Sequence, residues 1–501
     1  MAHREILARR SYVGASRGKR SFSGWNTNSH DADAAILDEL PVLRDRCRDS
    51  YRNNPIAAGS LHTKVTNVVG TGLRLQARLD RSALGLTEEN ADALERKIES
   101  EWRLFAENQE CDAERTLTFF ELQDAIFRSS LESGDVFVLM SFFYRPGSPY
   151  GLKLQVVEAD RVDNPDHKTD VPSLAGGVEK DQYGAPIAYH VRSSHPGGLG
   201  IANSDDWRRI PAFGTITGRR NVLHLYRKLR PGQTRGVPDL APVLDMLRSL
   251  GKYSEYELQA ALVNSIFAAF TYTEDGMGIG GNTATGMGST SDGKNVEMGS
   301  GNIIDLTPGE KVIFSPPSRP NPAFASFVDA MLEQVGVALE LPHDVLRQRY
   351  NASYSASRAA LLEAWKMYKS RRKWLADKLC RPVYEAWFTE AVALGRIPAP
   401  GFLSGDFAIR QAYLGSDWVG PSQGALDPLK EAKAVTERID QETMTRSDAA
   451  AEYGMDWERI HPQRAKEERM RREDETITNP PPVAAAEPEK TDTQSGDNNG
   501  D

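Results

Sequence analysis

Cysteine is scarce. Cys47, Cys111 and Cys380 are the only three, and they lie far apart. No CxxC pair or Cys/His cluster exists, which argues against a zinc ribbon and against a disulfide framework. Each cysteine is expected to be a small buried hydrophobe, in keeping with a reducing cytoplasm. Long apolar runs are missing too. The most apolar helical stretch, residues 258–272 (LQAALVNSIFAAFTY), is too short for a bilayer and carries Gln259, Asn264 and Ser265. The basic start of the chain has no apolar core of signal-peptide length, so a soluble chain is expected. Positive charge is not in excess: 61 Lys and Arg against 70 Asp and Glu leave a net −9. That argues against a surface coated for nucleic-acid binding, while local basic patches stay open. HExxH, GxSxG and GxxxxGK[ST] are absent. The glycines at 276–281 (GMGIGG) have no strand–turn–helix context and do not read as a dinucleotide loop. No catalytic residue, metal ligand or cofactor is expected, and the chain reads as a non-enzyme.

What is present is helix-rich and modular, with room for roughly two to four domains. Residues 1–35 form a polar, basic arm. Helices are predicted over about 31–53, ending at Asn53-Asn54-Pro55, and over 56–69. Residues 73–77 alternate as a strand. Helices follow at 87–107, with Thr87 as N-cap, and at 118–132. Strands are predicted at 135–143 and 152–158, and Tyr183-Gly184 marks the turn of a hairpin-like unit at 178–192. Residues 70–226 thus read as an α+β domain.

From 222 to 242 the sequence runs VLHLYRKLRPGQTRGVPDLAP, a strand, a basic turn and a proline-opened helix start. A helical pattern over 237–273 follows, about 54 Å long at 1.5 Å per residue, with Gly251 as a candidate break. Next come a Gly/Ser/Thr/Asn-rich stretch at 276–302, a strand pair around Gly309 and a Pro-rich run at 315–322. Helices are predicted at 323–340 and 355–388, the latter capped by Ser355 or Ser357, with a loop at 341–354 between them. Residues 425–460 hold one or two further helices, and the acidic, low-complexity tail begins near Asn479.

Several residues carry chemistry in principle. Glu158 and Asp160 (VVEADRVD) are either half of an acid/base or metal site or a strand-end pair that caps a turn or meets Arg161. His190 and His224, in strand-like runs, read as satisfied structural histidines. Lys366, Lys369 and Lys373 recur at i, i+3, i+7, as a solvated or a basic helix face. Arg347, Arg349 and Tyr350, on a loop between two long helices, suit transient contact with phosphates.

A set of segments has a family look: LRDRCRDSYRNNPIAAGSL (43–61), LQVVEADRVDNP (154–165), GVEKDQYGAPIAYHV (177–191), VLHLYRKLRPGQTRGVPDLAPVL (222–244), LTPGEKVIFSPPSRPNPAFASFV (306–328), YNASYSASRAALLE (350–363) and WVGPSQGALDPLKEAKA (418–434). In this order and spacing, over about 40–465, the chain resembles the lambda-type phage portal proteins. The resemblance implies a multidomain α+β portal fold whose subunits close a ring, typically of about twelve copies, around a channel at one capsid vertex. Double-stranded DNA would pass through it without sequence readout. The implied partners are the terminase large subunit, the major capsid protein, the scaffold or protease and the head–tail adaptors, with no membrane and no cofactor. Assembly would occur in the host cytoplasm and residence would be in the virion.

The implied plan places an arm at 1–35, an α+β wing at 36–240, a stem helix at 241–273 and a clip with the Gly-rich insertion at 274–322. A second stem helix at 323–341, a tunnel loop at 342–355, a long wing helix at 356–395, a crown-like helical region at 396–470 and an acidic tail at 471–501 follow. Arg347 and Arg349 would face the lumen, and the arm from Arg4 to Arg20 would bind capsid, scaffold or DNA. The alternatives are a metal-dependent nuclease or maturation protease built on Glu158, Asp160 and a distant histidine, and a DNA-binding scaffold unrelated to phage.

Overall fold

The computed structural model describes residues 13–15, 20–25, 27–198, 206–265, 269–273, 310–314, 322–350, 353–423, 428–455 and 457–473. Most of the basic arm, the Gly-rich stretch at 276–302 and the acidic tail lie outside them. The chain divides into two compact units, the first running to Gly420 and the second from Pro421.

In the first unit, α1 spans Leu40–Asn53. It starts nine residues later than predicted, with residues 32–39 in turns. Pro41 explains the shift: its fixed φ and missing N–H suit a first turn and would disrupt a helix interior. Asn54 then accepts from the N–H groups of Ile56 (2.9 Å) and Ala57 (3.1 Å) and opens α2, Pro55–Val68. Strand β1, Arg74–Ala77, leads through the short α3, Arg81–Leu84, to α4, Glu88–Ala106, capped by Thr87 as predicted. Helix α5, Phe119–Ser133, opens with a capping box between Thr118 and Glu121.

Strands β2 (Asp135–Phe142) and β3 (Leu152–Glu158) are followed by β4 (Leu174–Ala175), β5 (Val178–Lys180), β6 (Pro186–Arg192), β7 (Trp207–Pro211) and β8 (Val222–Tyr226). They make two antiparallel sheets, β3-β2-β8 and β4-β5-β6-β7. Phe137, Val157, Val178, Tyr189, Val191 and Val222 form a small core of their own within this pair of sheets. The β5–β6 hairpin turns at Gly184, whose φ of 81° is left-handed. The larger core lies on the helical side. At its centre Trp102 meets Trp387 (ring centroids 5.0 Å apart), Phe119 (5.3 Å), Tyr384 (5.7 Å) and Trp418 (5.8 Å), mostly edge to face, as aromatic quadrupoles prefer.

The long helix predicted over 237–273 is shorter. A 3₁₀ turn at Ala241–Val243 leads into α6, Leu244–Ser265, which runs unbroken through Gly251. Its 22 residues span about 33 Å. Residues Ala269–Thr273 (AFTYT) are instead strand β9, because Phe, Tyr and Thr favour extended backbone. Its partner is β10, Glu310–Phe314, with Thr273 opposite Glu310. The strand predicted near Gly309 is therefore real, but it pairs with β9; residues 302–309 lie outside the described set.

Helix α7, Phe324–Ala338, agrees with prediction, whereas the loop after it contains a five-residue helix, α8, His343–Arg347. Ser353, not Ser355 or Ser357, caps α9, Tyr354–Leu375. One continuous helix to Phe388 was expected. Instead a π-turn, Ala376–Cys380, joins α9 to α10, Arg381–Ala393. Pro382 accounts for it, since it offers no N–H and its ring would collide with a regular preceding turn. Helix α11, Phe407–Leu414, and strand β11, Ser416–Val419, complete the unit. β11 pairs with β1, Trp418 opposite Leu75, and residues 396–420 belong to the first unit. All three cysteines are buried, and burial pushes the thiols of Cys47 and Cys111 up to about 12.

Among its described residues the second unit holds α12 (Pro428–Asp440) and α13 (Arg446–Glu452), the two helices that 425–460 was expected to contain at most, and a further helix, α14 (Trp457–Glu473), which runs beyond that range. Thr445 and Asp448 form a capping box on α13.

Candidate functional site

The segment RPGQTRGVP, between β8 and α6, meets a cluster of buried charge. Asp135 opens β2 and has no solvent exposure. Arg235 donates to it through Nε (2.6 Å) and spreads its other N–H groups over the carbonyls of Val162 and Gly176 (both 2.7 Å) and Ala159 (2.8 Å). Arg44, from α1, donates to the same carboxylate (2.9 Å) and to the Ser133 carbonyl (3.0 Å). His224 on β8 lies 3.1 Å away through Nε2. Burial alone would raise the Asp135 pKa, but Arg235, Arg44 and the His224 hydrogen bond hold it well below the usual carboxylate range. Burial lowers the His224 pKa despite Asp135, so the ring is neutral and donates Nε2–H. Burial also lowers Arg44 to about 10, which leaves it charged at neutral pH. The backbone closes in equally tightly. A Cβ on Gly236 would sit 2.0 Å from the Gly134 carbonyl oxygen, so only glycine lets the two chains meet.

Four residues after Arg235, Asp239 anchors a second cluster. It accepts from Lys64 of α2, which is 1% exposed, and from Arg371 of α9 at 3.3 Å. Arg371 and Arg227 both reach Glu340, just past α7, at 3.7 and 3.4 Å. Burial would raise Asp239, but Lys64 and Arg371 draw it below its ordinary value. The two clusters thus tie the approach to α6, the end of α7 and the C-terminal turns of α9 to the α+β body. Buried, fully paired charge of this kind fixes geometry more than it adds stability.

None of these six residues, Arg44, Lys64, Asp135, Arg235, Asp239 and Arg371, was singled out from sequence. A visible signal did exist for one. Asp135 is an acid at the head of an otherwise apolar run (DVFVLMSFF), where a charge needs a buried partner.

The residues that were singled out are dispersed. Arg347 ends α8 and pairs with Asp329 of α7. Arg349 holds the loop through its backbone N–H to the Asp344 carbonyl (3.1 Å), and Tyr350 is half exposed. Lys366 pairs with Glu363 (2.6 Å) and Lys373 with Asp377 (3.2 Å), on an exposed face that also carries Lys369. Asp160 is engaged by Arg48, with Arg44 at 3.8 Å; Arg161 turns away, to the carbonyls of Arg192 and Ser193. His195 stands 3.6 Å from both Glu158 and Asp160. His190 bonds Glu179 at 2.7 Å. Among the described residues, no group of three or more His, Cys, Asp or Glu is placed to hold a metal, and no helix is long and apolar enough to cross a membrane.

Comparison with known proteins bears on this arrangement. A family model described as phage portal protein, lambda family, matches residues 18–372. Portal protein B of Escherichia phage lambda is 26% identical over 488 residues, covering 92% of this chain and 91% of its own. The portal protein of Escherichia phage N15 is 27% identical over 502 residues, covering 95% and 93%. A solved chain described as the neck of a native GTA particle, computed with C12 symmetry, aligns with a TM-score of 0.45 at 14% identity, over 84% of this chain and 94% of that one. The family match takes in both charge clusters and the helices they anchor, and this chain belongs to the lambda family of phage portal proteins, acting in DNA packaging and ejection at the capsid vertex of the phage particle.

Proposed function

We propose that copies of this chain close side by side into a ring around duplex DNA, about twelve in number. In this reading α6 and α7 are the stem struts between an α+β wing (36–240) and a clip (274–322). Residues 342–355 form the tunnel loop, and the helices of the second unit contribute a crown. The carrying observation is the surface of α6. Tyr256 is 63% and Leu258 62% exposed. At 100° per residue they stand about 200° apart, on opposite sides of the helix. A closing head-to-tail ring needs two different faces on each subunit, and a strut with apolar side chains on both flanks supplies them.

The protein itself performs no catalysis in this proposal. Asp160, the best-placed acid of the enzymatic alternative, is already bound by Arg48. Its partners are the terminase large subunit, the major capsid protein, the scaffold or protease and the head–tail adaptors. DNA passes without sequence readout. Arg347 is neutralised by Asp329, so the loop with Arg349 and Tyr350 touches phosphates weakly and lets them go, as counterion-release binding by few fixed cations allows.

Negative-stain microscopy and sedimentation test the ring. The parent protein should form annuli wide enough for a B-form duplex. Tyr256→Asp and Leu258→Asp should each stay as subunits, yet a mixture of the two variants should yield dimers through the one intact pair of faces. A parent that stays monomeric under every assembly condition, or variants that still close rings, would overturn the proposal.

A further inference from the structure

The small two-sheet core is open at one end. There, a cavity of about 660 Å³ sits between the β5–β6 hairpin, β8 and the turn at 228–234. Its inner wall is apolar and aromatic, with Val178, Tyr189 and Val222, all buried, continuing the inter-sheet core. Its mouth carries Tyr183, 86% exposed at the hairpin tip, and the cations Arg220 and Lys228.

The charge at this mouth is unbalanced. Lys180, also at the wall, is matched by Asp33 (2.9 Å) and the Thr234 hydroxyl (2.7 Å). Asp181 accepts from the N–H groups of Tyr183 and Ala185 (both 2.8 Å) and sets one negative charge against the two positive charges of Arg220 and Lys228. Arg220 lies over the Phe213 ring, 5.2 Å from its centroid. Among the described residues, neither Arg220 nor Lys228 has a carboxylate in salt-bridge range. A mixed recess with Val178, Tyr189 and Val222 in its wall, rimmed by two cations without a carboxylate in range and an exposed tyrosine, is the complement of an apolar side chain flanked by carboxylates.

We propose that this recess docks an acidic segment of another protein, which inserts one aromatic or aliphatic side chain between the sheets while its carboxylates meet Arg220 and Lys228. The site is remote in sequence from the α6 faces that build the ring, and it is tested separately. The probe is a fluorescein-labelled peptide of glutamates around a central phenylalanine, followed by anisotropy on the full-length protein. Saturable binding is expected. It should weaken about tenfold or more in Arg220→Ala/Lys228→Ala, weaken in Tyr183→Ala, and vanish when the glutamates are exchanged for lysines or the phenylalanine for glycine. All substituted residues are exposed at the surface, and an unchanged melting curve for each variant ties the loss to docking. Parent-like affinity in the double variant would overturn the proposal. So would competition by a short DNA duplex as effective as that by unlabelled peptide, because the site would then be a general anion patch.

Discussion

Asp135 is the residue on which the junction depends most. It is surrounded by two guanidiniums, an imidazole and a backbone N–H, all within hydrogen-bond range. Replacing it with asparagine keeps the shape but leaves Arg235 buried without a counter-charge and Arg44 with only Asp160, at 3.8 Å. Such uncompensated burial costs about 3–5 kcal/mol, so Asp135→Asn should show a lower urea midpoint by that measure. The pH dependence has a definite sign. The folded-state pKa lies below the unfolded value of about 3.9. The stabilisation is therefore fully present above about pH 4 and is lost as pH falls towards the folded value. The gap between parent and variant should stay constant from pH 5 to 8 and narrow in acid. A gap that widened in acid would mean that Asp135 is not ionised in the fold.

Among the elements, two glycines make opposite predictions. Gly236 abuts Gly134 where α5 ends and the chain approaches α6, and any side chain there collides with backbone. Overpacking of this kind costs about 1–3 kcal/mol or more, so Gly236→Ala should unfold at clearly lower urea. Gly251, inside α6, has nothing within 4 Å of where a Cβ would stand. Gly251→Ala should raise stability by about 0.5–1 kcal/mol, the helix-interior penalty of glycine. If it instead breaks the helix, as read by circular dichroism, the unbroken α6 is wrong. These two sites also show what a sequence discloses. Helix ends written in three or four adjacent residues were legible: Thr87 caps where expected, α1 stops at Asn53 ahead of Asn54-Pro55, and α5 starts one residue from the predicted Thr118. The start of α1, the π-turn before Pro382 and the strand after α6 were not, because each is decided by a competition between helical periodicity and one proline, or a partner strand elsewhere.

For the whole molecule, contacts distant in sequence set the borders. β1 finds its partner in β11, and Trp418 enters the aromatic cluster around Trp102. Neither pairing has a local signal, so the division at Gly420 is set by packing between residues more than three hundred positions apart. A chain ending at Gly420 should melt with the midpoint of the main transition of the full chain. One ending at Gly415, lacking β11, should melt several degrees lower, since an unpaired β1 and the lost tryptophan remove core area. Equal midpoints for the two would show that β11 contributes nothing. The resemblance carried by RPGQTRGVP was legible as a motif, but its reason was not: Arg235 meets an acid on β2 that no local window connects to it.

The register of β9 against β10 has a practical corollary. With Thr273 facing Glu310, the polypeptide departs for residues 274–309 and comes back at the same spot. Whatever is spliced in between is tethered at a single doorway, and doubling its length adds only about 0.6 kcal/mol of closure entropy. An affinity tag or fluorescent reporter grafted there should therefore leave the melting midpoint of the scaffold unchanged.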